Sequence, residues 1–106
     1  MDLEKLKEKL RKYKKEDIII TDHAKDQAKF RQIDLEEVKE NVINPEKLVY
    51  VEEQQAKKEG EKKYNCYFAY SENYHHRYAF AVNGKVIIVT IIGINRNWQK
   101  AIEARK

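Results

Sequence analysis

Asn83-Gly84 stands between two strand-like runs, Arg77 to Val82 and Lys85 to Ile94. An Asn-Gly pair is the strongest short signal for two antiparallel strands joined by a tight turn, because both residues tolerate positive φ. Whatever this chain folds into must contain that hairpin. A lone hairpin is marginal in water, so other elements have to cover it. A two-residue turn sets Val82 opposite Lys85, Phe80 opposite Ile87 and Tyr78 opposite Val89. On the other face Ala81 meets Val86, Ala79 meets Ile88 and Arg77 meets Thr90. The first face is bulky and apolar, which predicts a buried side. The second sets two alanines beside a charge and a hydroxyl. That arrangement gives either a shallow groove with Arg77 and Thr90 near one end, or a partly solvated face on which Arg77 pairs with a carboxylate.

The same period of two extends upstream. Tyr64, Cys66, Phe68 and Tyr70 alternate with Asn65, Tyr67 and Ala69, and Leu48 to Val51 reads as a further strand. Gln54 to Lys63 is polar and holds Gly60, so an exposed tip is expected there; Ser71 to His76 is expected as a second turn. Before Pro45 the spacing is helical. Leu3, Leu6, Leu10 and Tyr13 mark a helix over about residues 2–15, with a narrow stripe that must dock on the sheet or on another chain. Ile18 to Ile20 reads as a first strand. Thr21 or Asp22 caps a helix through His23, Ala24, Ala28 and Arg31. Asp34 caps the next, with Glu37 placed to close a capping box and Pro45 setting the stop at Asn44. The tail from Asn95 has the makings of a short helix. The predicted class is α+β, with N-terminal helices packed on one face of a mostly antiparallel four- to five-stranded sheet and the other face bare. One domain is expected over 1–106, divided into an N-terminal helix (1–16), a core (17–95) and a C-terminal tail (96–106).

Hydrophobic residues make up 42% of the chain and charged residues 38%. This excludes a disordered chain and a membrane protein. The longest apolar run, Val86 to Ile94, is about half of the roughly 20 residues that a spanning helix needs. The charged start carries no signal-peptide block, so a cytoplasmic protein is expected. The one cysteine, Cys66, allows no internal disulfide and reads as a core residue. Abundant Lys, Glu and Ile with three Gly and one Pro is the surface style of heat-adapted proteins. A net charge of +4 permits phosphate binding without demanding it. With no Gly-rich phosphate loop, paired acids or nucleophile motif, no cofactor and no metal is expected.

Several side chains carry candidate chemistry. His23 is placed to titrate near neutral pH or to serve as a structural joint. His75-His76 falls in the expected turn, where adjacent side chains diverge and suit neither a metal nor each other. Tyr67 and its neighbours among seven tyrosines would stack on unpaired bases or pack the rim. Arg96 and Lys100 emerge past the last strand beside Trp98, forming a phosphate-binding edge or a solvated tail.

Thr21-Asp22-His23-Ala24, Arg31-Gln32-Ile33-Asp34-Leu35-Glu36-Glu37-Val38, Asn44-Pro45-Glu46 and the closing Asn83 to Ile91 run together resemble a family of small prokaryotic domains related to the RelE/ParE toxin superfamily. The resemblance spans most of residues 18–95. Gln27 stands where that family has Arg, and Gln32 where it has Gly. The resemblance implies a toxin-like, RNA-directed domain, in the limit an mRNA interferase (endoribonuclease) of a toxin-antitoxin system. RNA, the ribosome, a cognate antitoxin and a second copy would be its partners, with no membrane involved. His23, Arg77 and Arg96 would be catalytic, with Arg31, Lys100, Tyr67 and Thr90 contacting nucleic acid. The alternative is a non-catalytic nucleic-acid- or protein-binding module on the same fold.

Overall fold

The computed structural model describes residues 2–55 and 59–103, without the side chains of Trp98, Ala101 and Ile102. Residues 56–58 of the expected exposed tip lie outside the described residues. Helix α1 (Leu3–Leu10) starts where the Asp2 carboxylate accepts the Glu4 N–H at 2.9 Å. It is shorter than its spacing predicts. The Asp17 carboxylate accepts the Lys14 N–H at 2.9 Å and draws Lys15–Asp17 into a 3-10 turn, which feeds strand β1 (Ile18–Ile20). Thr21, not Asp22, caps α2 (Asp22–Phe30), its hydroxyl accepting from Ala24 N–H at 3.2 Å. Asp34 caps α3 (Leu35–Ile43), which stops at Asn44 before Pro45 as expected. The expected capping box is absent, because the Glu37 carboxylate instead accepts from the Tyr70 hydroxyl at 2.8 Å.

The α2–α3 junction rests on Gln32, the one described non-glycine residue with positive φ, at 57°. Gln32 N–H donates to Lys29 O at 3.2 Å and Ile33 N–H to Ala28 O at 2.8 Å. These are the two bonds of a Schellman ending, whose left-handed position favours glycine. Replacing Gln32 with glycine is therefore expected to stabilise the domain by about 0.5–1 kcal/mol. Chemical unfolding measures this, and an unchanged or lowered midpoint would refute it.

Strands β2 (Leu48–Gln54), β3 (Lys62–Ala69), β4 (His75–Val82) and β5 (Val86–Ile94) form an antiparallel meander, followed by α4 (Trp98–Glu103). The sheet order is β1-β5-β4-β3-β2, and β1 pairs with β5 in parallel, so the five-stranded sheet is mixed. The hairpin register differs from the two-residue expectation. Three residues, Asn83 to Lys85, make the connection, with Gly84 at φ 74° and Asn83 N–H donating to Lys85 O at 3.0 Å. Val82 therefore faces Val86 and Ala81 faces Ile87, a slip of one that sends Val86 and Ile88 to the core side. A bulge then inserts Val89, so that Phe80 faces Ile88 while Ala79 faces Thr90. The Ile91 N–H beside the bulge donates to Gln27 Oε1 of α2 at 3.0 Å. That bond gives Gln27 a structural task at the position where the resembled family has Arg.

One core results. Leu6 and Leu10 of α1, Ala24 and Ala28 of α2, and Val38 and Val42 of α3 share it with Phe68, Tyr78, Phe80, Val86 and Ile88 of the sheet. Cys66 is buried there as expected, and burial pushes its thiol pKa up. Among the described residues no helix is long and apolar enough to cross a membrane.

Candidate functional site

The face of the sheet opposite this core is built in rows by the register. Tyr50, Tyr67, Arg77 and Ile92 stand side by side in one row, and Glu52, Asn65, Ala79 and Thr90 in the next. His75 lies on the same face, between Ala69 and Ile94. The expected bareness holds for only part of this face. Ala79 and Ala81, with Gln54, Lys63 and Val89, line a shallow depression, and Thr90 is half-buried beside it. Toward the other end Tyr67 and His75 are fully buried and Asn65 nearly so. Tyr67 packs on His75 at 5.5 Å between ring centroids, 28° from parallel, and edge-on to Tyr50 at 5.8 Å. With its ring enclosed in this way, Tyr67 offers no open surface for the base stacking expected of it.

His75 belongs to β4 and is not in the solvated turn that its sequence context suggests. Burial lowers the pKa of its imidazole; the Arg96 main chain approaches and opposes that shift, while the charges of Arg77, Arg96 and His76 lower it further. Among the described residues neither ring nitrogen has a hydrogen-bond partner, and the buried Nε of half-buried Arg77 also lacks one. His75 faces Ile94 at the end of β5, with Arg77 two residues along β4 and Arg96 two residues past Ile94, so β4 and the segment after β5 bring both arginines to the same end of the sheet. Arg96 and Lys100 are exposed. The ring of Trp98, expected beside them, lies outside the described residues.

His23 and Arg31 do not join this group. Both are exposed on the α2 segment, whose Ala24 and Ala28 belong to the core, so the sheet stands between them and the face that carries Arg77. The Arg31 guanidinium sits 6.0 Å from the ring of Phe30, which is 85% exposed.

On the core side lies a polar chain that the sequence did not announce. Asn41 Nδ2 of α3 donates to Tyr70 Oη at 2.8 Å and to Tyr78 Oη at 3.0 Å. The Tyr70 hydroxyl donates to Glu37 Oε2 at 2.8 Å, and Tyr78 Oη meets His76 Nδ1 at 2.7 Å. His76 Nε2 lies 3.0 Å from Tyr74 Oη. Since Asn41 can only donate through this nitrogen, the Tyr78 proton goes to His76 Nδ1, and the neutral ring donates from Nε2 to Tyr74. Burial raises the pKa values of Tyr70 and Tyr78 and lowers that of His76. A signal for this chain existed. Tyr74, His76 and Tyr78 are spaced by two, and starting the strand two residues earlier sets them on one face. Their adjacent partner His75 then falls on the opposite face, as expected for neighbours in a strand. No family model, curated protein or solved structure matches the chain.

Proposed function

We propose that the chain is an RNA-directed domain of the toxin-like kind that grips phosphodiester oxygens with Arg77 and Arg96. The observation that supports this reading is the register, which sets Arg77 two residues along β4 from His75 and His75 opposite Ile94, two residues before Arg96. Paired guanidiniums suit phosphate, both as bidentate hydrogen-bond donors and as stabilisers of developing charge. Cleavage by a ribose 2′-hydroxyl would also need a group to take its proton. His23 stands across the sheet and His75 is enclosed, and these two placements favour the second form of the proposal, a module that binds RNA without cutting it. A cognate antitoxin would act by covering the arginine end.

Binding to fluorescent single-stranded RNA at stepped salt concentrations tests the grip. Arg77→Ala and Arg96→Ala are each expected to weaken binding about tenfold and to reduce the salt slope by about 0.7. Incubation with RNA, with and without ribosomes, separates cleavage from binding alone. Salt-independent binding, or arginine variants that bind as the parent does, would remove the proposal.

A further inference from the structure

We propose that the outer edge of β1 accepts an extended peptide segment of another protein, one with alternating acidic and apolar residues, as a sixth strand of the sheet. β1 pairs with β5 on one side and, among the described residues, with no strand on the other. In a parallel ladder, alternate residues turn both main-chain groups toward the same neighbour. Thr21 N–H donates to Ile88 O at 3.0 Å, so Ile19 and Thr21 face β5 while Ile20 faces outward. The Ile18 N–H is already taken by Lys15 O in the 3-10 turn. Ile18 O and both main-chain groups of Ile20 are left for an incoming strand.

An open groove follows this edge, lined by Ile18, Ile19 and Ile20, by Lys25 of α2 and by Leu35 and Lys39 of α3. Its charge selects the occupant. Lys25 is exposed, and Lys39 reaches Glu36 only at 3.9 Å. Both lysines line the groove from the helices α2 and α3. On the opposite side Ile19 is 49% exposed, an uncovered apolar side chain. Side chains of an added strand alternate between these two sides, so acidic residues would meet the lysines while apolar ones cover Ile19. β1 pairs with Val86 to Ile88, whereas Arg77 faces Ile92 near the other end of β5. The peptide site is therefore separate from the arginine pair and does not depend on RNA binding.

The probe is a capped, fluorescein-labelled Glu-Val-Glu-Val-Glu-Val peptide, with Lys-Val-Lys-Val-Lys-Val as its counterpart. Fluorescence anisotropy with the intact protein should show saturable binding of the acidic peptide only, and NMR should show slower exchange of the Ile20 amide. Two N-methylated versions, blocked at the Glu or at the Val amides, should differ, since only one set of amides can face β1. Lys25→Glu with Lys39→Glu should weaken binding at least about tenfold, with an unchanged circular dichroism spectrum showing that this variant folds. No binding at millimolar peptide, equal binding by both N-methylated versions or by the lysine peptide, or protection away from Ile20 would overturn the proposal.

Discussion

Leu10→Ala is expected to destabilise the domain by about 3 kcal/mol, with Leu6→Ala close to it. Both side chains are completely buried, and both belong to the same core as Phe68 and Phe80. Truncation removes their dispersion contacts and leaves a cavity that helix α1, held at its start by Asp2, cannot fill by collapsing. A domain of this size is stable by about 5–15 kcal/mol in total, and each kcal/mol shifts its melting temperature by roughly 4–8 °C. The single variants should therefore melt roughly 15 °C lower, and the double variant should be largely unfolded near 37 °C. Thermal and urea unfolding read this directly. A loss under about 1 kcal/mol would mean that α1 serves another chain rather than its own sheet.

Acid is expected to unfold the protein through its two buried histidines. His75 and His76 both have pKa values lowered from 6.5, chiefly by burial. For His76 the Glu37 carboxylate opposes that shift. The unfolded chain thus binds protons at a pH where the folded chain does not, so stability rises with pH across that interval. It is fully present above about pH 7. It falls as the pH drops through 6.5 toward the folded values, by up to about 1.4 kcal/mol per pH unit for each histidine. Protonated His76 would donate from both nitrogens, leaving the Tyr78 proton without an acceptor next to Asn41. Urea midpoints at pH 7.5, 6.0 and 5.0 should decline steeply, with a shallower fall in His76→Gln. A flat profile from pH 7.5 to 5.0 would show that neither imidazole is held neutral by the fold.

The parts of this architecture that local rules control were legible before the structure. The helix caps at Thr21 and Asp34, the stop before Pro45 and the Asn83-Gly84 reversal depend on residues close in sequence, and each lies where its chemistry puts it. What escaped depends on distant partners. The hairpin slips by one because that register buries Val86 and Ile88 in the core beneath the helices, and the Val89 bulge is stabilised by Gln27 from another element. Placing Arg77 and Thr90 on the face opposite the core followed from the strand period and held, because the bulge adds a second shift that restores the face, although Arg77 now meets Ile92 and not Thr90. The resemblance grouped His23 and Arg31 with Arg77, whereas the structure sets them across the sheet on α2, since nothing local tells which side of a sheet a helix will cover. His75 and His76 were hidden by one misplaced strand start. Within a turn they are solvent-facing polar residues; inside β4 they become buried imidazoles whose pKa values burial lowers.

The marriage of β1 to β5 sets an order of events during synthesis. Asp17 and Lys85, which meet at the mouth of this pairing, are 68 positions apart, so the first strand has no neighbour until Val86 to Ile88 have been made. Contacts of such long range slow folding and lengthen the exposure of unpaired strand. A nascent chain stalled before Val86 would display Ile18-Ile19-Ile20 with no strand on either side, and the arrival of β5 covers only one of those two edges.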